Sequence, residues 1–132
     1  MTVELFWLTA TITMTAVLWV PYIINRILEN GLLPALRNPK RDEPPKAAWA
    51  KRLMHAHNNA VENLVIFAPL ILILHFMEVS SSVTIMAVII YFWARLAHVV
   101  IYTFGILYIR TVAFFIGFLA QCALIYSVLT TL

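Results

Sequence analysis

Leu64-Val-Ile-Phe-Ala-Pro-Leu-Ile-Leu-Ile-Leu74 is an apolar run without a charge, and it follows directly on Arg52-Leu-Met-His55-Ala-His57-Asn58-Asn59-Ala-Val-Glu62-Asn63. The apolar part is fit to enter a bilayer, and it carries a carboxylate, Glu62, at its mouth. A charge at that depth is costly and needs a partner or a water-filled cavity. Working outward from it, the chain has 132 residues, 63% of them hydrophobic and 11% charged. Mean hydropathy is +0.91. A soluble domain is about half apolar and roughly a quarter charged, so the composition describes an integral membrane protein. The length suits one domain, 1–132.

Four segments are long and apolar enough to span: Val3 to Leu28, Ala47 to Met77, Ser82 to Phe104 and Leu107 to Leu132. This predicts an all-α, four-helix transmembrane bundle. No basic stretch and no small-residue cleavage site accompany the first segment, which reads as a retained helix kinked by Pro21. At 1.5 Å per residue the second would run roughly 45 Å, beyond the ~30 Å hydrocarbon layer, so its start should project into water. Ser80-Ser81-Ser82 offers a cap for the third, and Gly105 marks the turn to the fourth. Between Asn30 and Lys46 lies a loop rich in proline and charge. Arg26, Arg37, Lys40, Arg41, Lys46, Lys51 and Arg52 cluster at this first connection and Arg110 at the third, whereas the second connection and the termini have no Lys or Arg. The positive-inside rule then places the first and third connections in the cytosol and both termini outside. The single cysteine, Cys122, excludes a disulfide framework and a Cys-cluster metal site;. No metal site and no nucleic-acid partner is expected.

Each helix carries one polar or aromatic face. Arg52, His55, Asn59, Glu62 and Asn63 fall within about a 100° stripe at helical spacing, with His57 roughly opposite. Tyr91, Arg95, His98 and Tyr102 fall within about 60°, as do Arg110, Phe114, Gly117 and Gln121, and Thr15, Trp19, Tyr22 and Arg26. Matching depths on antiparallel helices predicts a Glu62–Arg95 ion pair, Asn59 near His98, and Arg52 or His55 near Tyr102. Such a lining favours an anionic ligand from the cytosol meeting an apolar one from the membrane. Arginine grips carboxylates in a fork, and with a tyrosine hydroxyl it stabilises a thiolate. Any sulfur nucleophile must come from a cofactor, because Cys122 falls deep in the fourth segment.

Arg52-x-x-His55-Ala-His57-Asn58-Asn59-x-x-Glu62-Asn63-x-x-x-Phe67 resembles the second-helix signature of the MAPEG family, the membrane-associated proteins in eicosanoid and glutathione metabolism. Arg95-Leu-Ala-His98-x-x-x-Tyr102-x-x-Gly105, followed by Arg110-Thr111, resembles its third- and fourth-helix pattern. The likeness covers nearly the whole chain and is nearest to small, bacterial-type members similar to microsomal glutathione transferases. It implies a homotrimer with glutathione as cosubstrate held between subunits; short loops and compact size favour a bacterial inner membrane over an organelle's. It also implies a lipophilic electrophile or hydroperoxide as second substrate. Arg26 would contact glutathione from one subunit. Arg52, His55, Asn59, Glu62, Arg95, His98, Tyr102 and Arg110 would bind it from the other, with Arg110 and Tyr102 as the catalytic pair. His55 and Asn58 stand where arginine is common in the family, which weakens the grip on a dianionic tripeptide. The other reading is a non-catalytic protein of the same architecture, a scaffold or assembly subunit of a larger membrane complex.

Overall fold

The computed structural model describes residues 1–38 and 43–131, and among them the regular structure is entirely helical. The elements are α1 (Val3–Val17), α2 (Trp19–Asn30), α3 (Leu32–Leu36), α4 (Ala48–Phe76), α5 (Ser82–Phe104) and α6 (Ile109–Leu129). Taking α1 and α2 as one span, four helices are long and apolar enough to cross a membrane: Val3–Asn30, Ala48–Phe76, Ser82–Phe104 and Ile109–Leu129. Lys40 and Arg41, part of the charge asymmetry, and Leu132, the expected end of the last span, lie outside the described residues.

The first span breaks at Leu18. Pro21 has no N–H to give to the Val17 carbonyl four residues back, and its ring crowds that carbonyl, so the disruption falls one turn before the proline. Beyond the break no residue of α2 is buried. Thr15 is buried, but Trp19, placed on the same face by uninterrupted spacing, is 47% exposed. Upstream, the hydroxyls of Thr9, Thr11, Thr13 and Thr15 each donate to the carbonyl four residues back at 2.8–2.9 Å. They need no water, and this makes a threonine-rich helix compatible with lipid.

Ser81 caps α5 in a reciprocal box with Thr84. Gly105 ends α5 at φ 74, a left-handed position that favours glycine;. Inside the expected loop the sequence reading missed α3, five residues starting after Gly31 at φ 83.

α5 packs against α1, α4 and α6, and α4 also meets α2 and α6. The buried stripe of α4 is Ala50, Leu53, Ala56, Ala60, Phe67, Ile71 and Leu74. Its small residues admit close neighbours. The larger apolar core gathers Leu8, Phe67, Ile71, Leu74, Val88, Tyr91 and Leu124, with the Phe67 and Tyr91 rings stacked at 3.8 Å. A smaller cluster of Leu53, Ala56 and Val99 lies toward the other end, with Tyr22 and Tyr102 against it. Along α4 and α5 the two clusters are separated by Asn59, Asn63, Arg95 and His98, so a polar layer interrupts the core.

Candidate functional site

Arg95 lies at the centre of that layer and is 1% exposed. Its Nη2 donates to Asn59 Oδ1 at 2.6 Å, while Nε and Nη1 meet no acceptor among the described residues. The expected Glu62–Arg95 ion pair is therefore not formed. Depth matched, but direction did not: at 100° per residue Glu62 points about 150° away from the centre of the buried face of α4, and its side chain is exposed;. Asn59, about 60° nearer the core, reaches the guanidinium in its place. Asn59 thus meets Arg95, one turn before His98. The α6 face follows the same logic. Gly117 is buried, and a Cβ there would stand 3.4 Å from Arg95 Cδ, so the glycine leaves room for the arginine stem. Gln121 donates from Nε2 to the Asn63 carbonyl at 3.1 Å.

From Arg95 a file of rings and cations leads to the end of the bundle at which α5 turns into α6. Arg95 Cζ stands 5.8 Å from the Phe114 centroid. His98, 4% exposed, lies 6.1 Å from Phe114 and 5.6 Å, edge to face, from Tyr102. Arg110 Cζ lies 4.4 Å over the Tyr102 ring, which positions the cation by its attraction to the aromatic face;. Arg52 closes the same end: its Nε donates to the Thr103 carbonyl at 2.8 Å, and its guanidinium packs beside Gly105. The arrangement is a buried cation, an imidazole, a phenol and a half-exposed guanidinium in sequence. It suits a group bearing negative charge that approaches from the α5–α6 end.

Of the residues singled out on the sequence, the structure brings Asn59, Arg95, His98, Tyr102, Arg110 and Arg52 to this file or its rim. Three stand apart. Arg26 lines a separate polar cavity of about 450 Å³ with Glu29, Asn30 and Lys46. His55 and Glu62 stand exposed on α4, with Asn58 between them. The Arg52-to-Asn63 stripe is thus split, one edge turned into the chain's own bundle and the other turned out. Val61 and Val65, 44% and 68% exposed, share that outward face. Glu62 lies 14 residues into a 29-residue spanning helix, about 21 Å from its start;. A carboxylate there cannot face acyl chains at reasonable cost.

Two polar contacts were missed. Glu4 is 4% exposed, and its Oε1 accepts from Ser80 Oγ at 2.8 Å and Thr84 Oγ1 at 2.7 Å. An acid in the first turn of an apolar helix, at the depth of a Ser-Ser-Ser cap, was the available signal. His57, set aside as lying opposite the polar stripe, pairs through Nδ1 with the Tyr22 hydroxyl at 2.8 Å. It ties α4 to α2 just past the Leu18 break and belongs to packing rather than to the file of site residues.

A spanning four-helix protein with a polar layer through its core and an Arg–Tyr pair at one end is the class that these features define. The chain belongs to the MAPEG family, whose model matches residues 5–130. Comparison with curated proteins and with solved structures returns no match. Membership makes the chain an integral membrane protein of a family associated with glutathione and eicosanoid metabolism.

Proposed function

We propose that the protein is a membrane glutathione transferase or peroxidase that works as a homotrimer, with glutathione held between neighbouring subunits. The carrying observation is the outward face of α4. His55, Asn58 and Glu62 are polar, exposed in one chain, and set within a spanning helix. A second copy with a polar ligand between them satisfies these groups, whereas lipid does not. On this reading Glu62 and Asn59 hold the ligand's amine and peptide groups, Arg26 of a neighbouring copy takes a carboxylate, and Arg110 with the Tyr102 hydroxyl faces the sulfur. The cation and the phenol stabilise the thiolate. In the transferase reaction the thiol proton goes to solvent, the sulfur bonds to an electrophilic carbon, and the leaving group departs. In the peroxidase reaction two glutathione molecules together give two protons and two electrons to a lipid hydroperoxide, yielding the alcohol, water and glutathione disulfide. The basic first connection favours placing this end in the cytosol of a bacterial cell with both termini outside.

The scaffold reading keeps one observation in its favour: His55 and Asn58 bring no fixed positive charge to the outward face. Thiolate difference absorbance of the purified protein with glutathione separates the two. A transferase shows a thiolate band that Arg110→Ala reduces, because the thiol loses the neighbouring cation that favours its ionised form. A wild-type protein that shows no band at millimolar glutathione is not this enzyme.

A further inference from the structure

At the end of α2 the chain makes a turn that only glycine adopts easily, Gly31 at φ 83 and ψ 165, and then forms α3;. Helix α3 has no buried residue, and Leu32, Leu33 and Leu36 are 56%, 73% and 73% exposed. Three leucines held out by a built turn, directly where a spanning helix leaves the bilayer, are placed for lipid rather than for water. A cation adjoins them in sequence: Arg37 follows Leu36 and is exposed. Lys46 is exposed at the cavity of about 450 Å³ that Arg26, Glu29 and Glu43 also line. Asn30, next to the Gly31 turn, also lines that cavity.

We propose that α3 lies in the membrane interface as an anchor. Its leucines enter the leaflet on the side of the first connection, and Arg37 and Lys46 hold the phosphate of an anionic phospholipid at its edge. Apolar side chains at the acyl boundary with basic residues beside them are the two parts of an interfacial lipid site. The occupant is a lipid of the surrounding bilayer. This does not rest on the glutathione reading, and the residues that carry it lie outside the Tyr102–Arg110 end.

The test uses the full chain with Cys122→Ala and Leu36→Cys, labelled with an environment-sensitive fluorophore and reconstituted in vesicles of phosphatidylcholine with phosphatidylglycerol. The label should be quenched by nitroxides near the headgroup and shielded from aqueous iodide. Quenching by iodide alone overturns the proposal, as does protection from both, which would mean that another protein copy covers α3. Native mass spectrometry of the unlabelled protein from an equimolar mixture of the two lipids should show a preference for phosphatidylglycerol of about fivefold or more, the effect of one interfacial basic residue. Arg37→Glu with Lys46→Glu should abolish it. Equal retention of both lipids by the wild-type protein would contradict the phosphate contact.

Discussion

Arg95 Nη2 donates to Asn59 Oδ1 at 2.6 Å, and this bond joins α4 to α5 in the middle of the bundle. A guanidinium 1% exposed has few means of compensating for its loss. Asn59→Leu should lower stability by about 2–3 kcal/mol, the range for a buried bond to a charged group. Glu62→Gln, which meets no cation among the described residues, should stay within about 0.5 kcal/mol in the single subunit. Denaturant titration in detergent on both variants reads the contrast. Equal losses would restore the Glu62–Arg95 pairing that the geometry rejects.

Gly105 combines φ 74 with a crowded side. A Cβ there would sit 3.1 Å from Arg52 Cζ and Nε. Gly105→Ala should cost about 1–2 kcal/mol from the left-handed backbone alone. It should also displace the Arg52 bond to Thr103. A thermal unfolding midpoint unchanged from wild type would show that neither constraint holds.

Glu4 fastens the start of α1 to the first turn of α5 through Ser80 and Thr84, where a carboxylate also meets the positive end of the α5 dipole;. Glu4→Ala should destabilise by about 1.5–3 kcal/mol. Glu4→Gln keeps an acceptor oxygen and should recover part of this. Thermal melts in detergent that rank Ala and Gln together would assign the loss to charge rather than to the hydrogen bonds.

Tyr102 offers a ring to Arg110 and a hydroxyl to whatever lies beyond it. Tyr102→Phe keeps the ring that positions the guanidinium. It should therefore leave stability nearly unchanged yet lower the thiolate signal of bound glutathione, while Tyr102→Ala should disturb Arg110 as well. A Phe variant with undiminished thiolate absorbance would remove the phenol from the proposed chemistry.

Most of the fold was legible because a bilayer allows few alternatives: four long, predominantly apolar runs with only isolated charges read as helices, and Ser81 and Gly105 announce the ends of one of them;. The faces of α5 and α6 were legible too, since Tyr91, Arg95 and His98 are buried at single helical spacing, and Gly117 and Gln121 likewise. The α4 face was not. A stripe of about 100° is wide enough to belong to two surfaces at once, and residue types alone do not say which edge turns inward. Asn59 and Glu62 are three residues apart and end on different sides of that edge. At the Leu18 break one helix ends and another begins, and since α2 has no buried residue the inward face expected to run from Thr15 to Trp19 is not continued. Helix α3 escaped notice because five residues give no period to read.

The outward carboxylate of α4 supports the proposed function most heavily, and calorimetry reads it most directly. Reduced glutathione is titrated into wild-type protein and Glu62→Gln in lipid nanodiscs, each checked for helix content. The account predicts saturable heat for wild type and an affinity at least tenfold weaker for Glu62→Gln, about 1.4 kcal/mol. Identical binding by the two proteins, or no heat from wild type at millimolar ligand, would contradict it.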